Sequence, residues 1–149
     1  MINQSDLEAW DYWGESPSIP ESAYEDMRLM GMTPLDMVRE FARAFGHPLN
    51  KPYEWGDDLY NLRKKLIQEE FNEVNDAVDA EDLLKELADS VYVIYGMAAT
   101  YGWDLDEAVR RVHVSNMSKL GDDGKPVYRE DGKVLKGPNY QKPYLKDLV

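Results

Sequence analysis

Apolar residues between positions 34 and 120 recur at steps of three and four, the spacing of helices with one buried stripe, in four blocks separated by turn formers. Thr33-Pro34 reads as an N-cap followed by proline at the first helical position, and Gly46 with Pro48 closes the block. This predicts a first helix over 34–45 with Leu35, Val38, Phe41, Ala42 and Phe45 turned inward. A loop through Trp55 and Gly56 leads to a second predicted helix over 57–78, and a third over 80–101 ends at Gly102. Asp104 and Glu107 have capping-box spacing and start a fourth helix, which Gly121 stops. Further on, Asp131-Gly132 lies between two short extended runs and predicts a small hairpin.

The expected fold is therefore all-α, an antiparallel four-helix bundle over 33–121 with a small C-terminal hairpin appendage over 122–149. Residues 1–32 form an acidic, aromatic, turn-rich extension in which one short helix is expected around Ser22 to Leu29.

Several polar residues interrupt the apolar stripes. On the second helix, Leu59, Leu62, Leu66 and Ala77 define an inner face, and at about 100° per residue Glu70 and Glu73 fall inside it. The third helix is apolar nearly all round after Leu87, with Glu86 and Asp89 set into it. On the fourth, Leu105, Ala108, Val109 and Val112 mark the inner face, and Asn116 and Lys119 continue it, an amide and an ammonium suited to a metal shell and a phosphate oxygen.

The two acidic pairs are expected to meet. In an antiparallel hairpin, residues whose numbers share a constant sum sit at similar height, and a turn near Asp79 and Ala80 sets Glu73 opposite Glu86 and Glu70 opposite Asp89. Four carboxylates in one small volume repel one another and are costly to desolvate, which points to divalent cations. Neither His47 nor His113 follows a glutamate by three, so the pattern of helical di-iron sites is missing. Nothing has the form of an EF-hand loop. An all-oxygen site on rigid helices suits Mg²⁺, with Mn²⁺ as a substitute. Carboxylates three residues apart are separated by about 4.5 Å of rise, compatible with a pair of ions roughly 3.5–4 Å apart, an arrangement that usually acts on phosphates.

Composition narrows the function classes. The net charge of −12 argues against a binder of nucleic-acid polymers, yet residues 119–149 carry seven basic groups against five acids. An acidic body with a basic tail suits an anionic substrate bridged by metal. There is no cysteine, hence no disulfide, thiol nucleophile or cysteine-ligated zinc. No apolar run reaches the roughly 18–20 residues of a membrane span, and the first twenty residues lack the basic start of a secretory signal, so a cytoplasmic protein without membrane contact is expected.

Glu69-Glu70-x-x-Glu73, twelve intervening residues and Glu86-x-x-Asp89 resemble the signature of MazG-type all-α nucleotide pyrophosphohydrolases. The run from Ser115 to Leu120 and the segment Asp123 to Tyr140 resemble a phage and bacterial branch often described as phosphoribosyl-ATP pyrophosphohydrolase-like. The resemblance implies Mg²⁺-dependent hydrolysis of nucleoside triphosphates to monophosphate and pyrophosphate by a homo-dimer or homo-tetramer, in host cytoplasm if phage-encoded. It implies Glu70, Glu73, Glu86 and Asp89 as metal ligands and Glu69 as the group that orients or deprotonates water. Asn116 and Lys119 would contact metal or phosphate, with Arg129, Lys133 and Lys136 as further triphosphate contacts. His47, Trp55 and Tyr92 are the candidates for reading the base. Two other readings stay open: phosphoribosyl-ATP as the substrate, and a catalytically silent helical interaction module.

Overall fold

The computed structural model describes residues 31–149 together with Ile19, Ser22 and Tyr24. The chain divides into two compact units, Met1–Met32 and Thr33–Val149. Ser22 and Tyr24 have helical backbone, and the rest of the expected helix around 22–29 lies outside the described residues.

The second unit contains four α-helices, α1 (Pro34–Ala44), α2 (Asp58–Asp76), α3 (Ala80–Tyr101) and α4 (Leu105–Met117), and a 3₁₀ turn at Lys146–Leu148. The fold is all-α, as expected. Each α-helix starts on a side-chain cap. Thr33 and Asp36 form a reciprocal capping box on α1. Asp57 accepts from the Tyr60 amide at 2.6 Å, Asp79 from the Asp82 amide at 2.9 Å, and Asp104 from the Glu107 amide at 3.0 Å.

The core lies where α1 crosses α3, with Leu35 and Val38 packed on Tyr95 and Ala99, flanked by Leu49 and Leu105. Burying each such aliphatic side chain contributes about 1.5–3 kcal/mol. Phe41 and Phe45, expected inside, are 37% and 67% exposed and stack on each other at the end of α1, where Phe41 still reaches Tyr92 of α3. The loop after α1 is tied to α3 through amides of Asn50 and Lys51, which donate to the carbonyls of Ala99 and Thr100. Gly102 ends α3 at φ +74, and a Cβ there would lie 2.8 Å from Asn50 Oδ1, so the left-handed cap and the loop contact both require glycine. Tyr53, Tyr60, Tyr101 and Trp103 close this end with edge and tilted ring contacts of 5.0–6.0 Å.

Helix α2 packs along α3 as an antiparallel hairpin. It ends at Asp76 rather than 78, because Ala77 turns extended and the Val78 amide donates to Asp82. Its buried residues are Tyr60 and Arg63, and Leu62, expected inside, is 51% exposed. The inner face is thus displaced by one residue from the leucine stripe.

Helix α4 leans on α1. Its buried residue is Ser115, while Val109 and Val112, expected inside, are 52% and 38% exposed. The helix stops at Met117, short of Gly121. The Ser118 hydroxyl donates to the Ser115 carbonyl at 2.7 Å and accepts the Gln141 amide at 2.8 Å, which draws the tail across the helix end. Arg111 fastens that tail by donating to the Tyr144 carbonyl and to both Asp147 oxygens. The expected hairpin is present in miniature as one antiparallel bridge, Tyr128 with Val134, around a turn at Gly132.

Candidate metal centre and adjoining cavity

Residues one turn apart on α2, Glu70 and Glu73, meet Glu86 of α3, each presenting a carboxylate oxygen within 4.8 Å of the others. Glu86 is buried, Glu70 half-buried and Glu73 exposed, so Glu73 closes the solvent side of the cluster instead of pointing inward as the stripe predicted. Asp89 lies outside this trio, drawn to the Lys85 ammonium, which spans Glu86 at 2.7 Å and Asp89 at 3.0 Å. These two hydrogen bonds, Glu86 first, hold the Lys85 pKa above its ordinary value. Burial, followed by repulsion from Glu73, Asp89 and Glu86, pushes the Glu70 carboxyl up.

The donor set can be tested against a divalent ion. Glu70 Oε2 and Glu86 Oε2 are buried without a hydrogen-bond partner among the described residues, and an orphaned buried carboxylate oxygen costs several kcal/mol. Hard oxygen donors on two rigid helices, with unsatisfied lone pairs, fit Mg²⁺ or Mn²⁺.

A cavity of about 220 Å³ adjoins the cluster between α1, α2 and α3. Glu70 and Asp89 line one part, Arg63 and Gly96 another, and Phe41, His47 and Tyr92 form an aromatic wall. The Phe41 ring meets His47 at 5.4 Å and Tyr92 at 5.7 Å, both edge-on. Of the three base-reading candidates, His47 and Tyr92 therefore share one cavity, while Trp55 is 77% exposed and rests on Tyr60. A larger cavity, about 500 Å³, lies between α4 and the tail and contains none of the clustered carboxylates.

The remaining candidates stand apart. Glu69 is exposed and paired with Lys65 at 3.4 Å. Asn116 and Lys119 bond each other at 2.7 Å, and no hydrogen bond or ion pair among the described residues joins them to the acidic trio. The expectation that they point inward fails within one chain because α4 leans on α1 and, through Leu105 at its start, on the core at Tyr95 and Ala99, and not on the acidic trio. Arg129 is paired with Asp131, Lys136 stands 4.4 Å over the Tyr140 ring, and Lys133 is exposed on the tail.

Sequence reasoning missed Arg63, which is only 9% exposed. Adjacent Lys64 and Lys65 gave it the look of a solvated basic run. The constant-sum rule carried two turns further pairs Arg63 with Gly96, a long side chain facing the residue with none.

The family model for phosphoribosyl-ATP pyrophosphohydrolase matches residues 38–116, more than half of the chain. The chain is also similar to an uncharacterised protein of Acanthamoeba polyphaga mimivirus, 35% identical over 108 residues, or 66% of this chain. The match spans about 40% of the viral protein's length.

Proposed function

The chain belongs to the phosphoribosyl-ATP pyrophosphohydrolase family, and from that premise we propose that it hydrolyses nucleoside triphosphates to monophosphate and pyrophosphate, with Mg²⁺ held by Glu70, Glu73, Glu86 and Asp89. The observation that carries this reading is the pair of buried, unpartnered oxygens on Glu70 and Glu86 inside the acidic trio.

Bound there, Mg²⁺ supplies charge neutralisation to the polyphosphate and lowers the pKa of water. Glu69, which precedes Glu70 in the chain, takes the proton of the attacking water. The water oxygen bonds to the α-phosphorus as the bond from that phosphorus to the bridging oxygen breaks, and pyrophosphate leaves with the electron pair. Lys85, which bonds both Glu86 and Asp89, would give up these contacts for the two carboxylates to hold a cation. Lys119 and Asn116, with Arg129, Lys133 and Lys136 of the tail, supply donors to the phosphates. Residues 33–121 are in this reading the catalytic part and 122–149 a basic arm, working in the cytoplasm, or host cytoplasm if phage-encoded.

The unit is a homo-oligomer, a dimer or a tetramer. Leu84, Leu87, Val91 and Ile94 are 42–68% exposed on α3 at steps of three and four, the seam by which one helix packs on another. Among the described helices, none is long and apolar enough to cross a membrane, so this stripe is read as a protein contact.

The family's own description favours a second substrate, phosphoribosyl-ATP. Assay of phosphoribosyl-ATP beside a nucleotide panel separates the two. Glu73→Gln is expected to abolish Mg²⁺-dependent pyrophosphate release and leave the circular dichroism spectrum unchanged. Full activity in that variant overturns the site, and a wild-type protein that turns over no nucleotide supports the silent-module reading.

A further inference from the structure

Arg63 is the least explained group in the molecule. It is nine-tenths buried, its Nε has no partner, and no hydrogen bond or ion pair reaches its guanidinium among the described residues. Its strongest electrostatic neighbour is Tyr101, whose buried hydroxyl also lacks a hydrogen-bond partner. Guanidinium stays protonated in proteins, so this is a buried cation without a counter-group, an arrangement costly enough to require a reason. A Cβ on Gly96 would lie 3.5 Å from Arg63 Nη1, ordinary van der Waals contact, so the fork lies close against α3 at this residue.

The cavity it lines has two chemically different ends. Arg63 and Glu70 are seven residues apart on α2, about 10.5 Å of rise, and Gly96 and Asp89 are spaced identically on α3. Carboxylates that suit a metal ion lie at one end and the N–H donors of Arg63 at the other. Between them the lining is apolar and aromatic. About 220 Å³ is below the roughly 300–1,000 Å³ of sites that enclose drug-sized ligands, so it holds one ring system and not a whole nucleotide. An aromatic-walled slot with a guanidinium at one end suits a neutral flat ring that presents acceptors to that end.

Resting on the pyrophosphohydrolase reading above, we propose that Arg63 reads the nucleobase, selecting bases that present a carbonyl oxygen beside an unprotonated ring nitrogen. Guanine offers that pair at O6 and N7, and cytosine at O2 and N3, each matching the two-pronged guanidinium. Adenine sets an amino group beside N7 and N1, so donor would meet donor. In thymine the two carbonyls are separated by a protonated nitrogen. Phe41, His47 and Tyr92 flank the ring, and the fork lies beside Gly96.

The test is a steady-state panel of dGTP, dCTP, dATP and dTTP, with calorimetric binding of GMP, CMP, AMP and TMP, on wild type, Arg63→Lys and Arg63→Met. Wild type is expected to favour dGTP, dCTP or both over dATP by roughly 10- to 100-fold in kcat/KM, and the two arms distinguish them. Arg63→Met should flatten that preference mainly through KM, and Arg63→Lys, keeping charge without the planar fork, should recover only part of it. Equal use of dATP by wild type, or a uniform loss over all four nucleotides in Arg63→Met, overturns the assignment, the second pointing to phosphate contact. If Arg63→Met does not fold, the wild-type panel and Arg63→Lys decide. If no triphosphate is hydrolysed, the activity reading fails, while GMP or CMP binding that weakens in Arg63→Lys still supports base reading.

Discussion

Replacing Glu86 by glutamine should stabilise the metal-free protein and remove its response to Mg²⁺. Two unit charges 4.8 Å apart repel by about 3.5 kcal/mol at an effective dielectric of about 20, and Glu86 takes part in two of the three pairs within the trio. Water at exposed Glu73 screens this strongly, leaving about 1–2 kcal/mol of relief, and loss of the contact to exposed Lys85 subtracts little. The glutamine amide keeps the shape and can donate to the orphaned Glu70 oxygen. For a unit of this size, about 1 kcal/mol raises Tm by roughly 3–6 °C. In excess Mg²⁺ the order should reverse, since a cation at about 100 times its Kd adds about 2.7 kcal/mol to wild type and little to the variant. Thermal unfolding followed by circular dichroism, in EDTA and in Mg²⁺, measures both. A variant that melts at or below wild type in EDTA, or that keeps the full Mg²⁺ shift, refutes the picture of mutually repelling ligands.

Two further outcomes are expected. Hydrogen bonds from Arg111 hold the Asp147 carboxyl below its ordinary value of 3.8, and those from Arg111 and Arg110 hold Glu107 down. A depressed carboxylate pKa contributes stability that is present above the unfolded value and lost as pH falls through the folded one. Limited proteolysis should therefore find the tail protected at neutral pH and released below about pH 3.8, and Arg111→Leu should release it at neutral pH. An unchanged cleavage pattern in that variant would remove Arg111 from the anchoring role. Leu87→Glu should shift the oligomer to monomer in sedimentation velocity by placing a charge in the α3 stripe; a monomeric wild type would sink the seam.

The helices were legible in the sequence wherever local chemistry decided them. α3 runs from Ala80 to Tyr101 and stops at Gly102 as expected, because a capping carboxylate at Asp79 and a glycine free to adopt positive φ act locally. The meeting of Glu70 and Glu73 with Glu86 was legible too, since a short turn between antiparallel helices leaves few registers. Phase was less legible. An arginine beside two lysines gives no local sign of burial, and only its partner across the hairpin, Gly96, carries that information. On α4 the valines set the apparent inner face, whereas the contact with α1 and the Gln141 carbonyl that accepts from Ser115 selected another. Tertiary contacts of that kind have no period along the chain.

The turn at Ala77–Asp79 has a consequence for how this protein can vary. Its length sets the register of the acidic cluster and, two turns away, of Arg63 against Gly96. Inserting or deleting one residue inside α2 or α3, between this turn and the cluster, would rotate one set of facing side chains by about 100° relative to the other. Exposed positions along these stretches can be substituted one at a time, but a change of length inside either helix costs every facing pair at once. The helical stretches on either side of the turn are therefore more open to substitution than to a change of length.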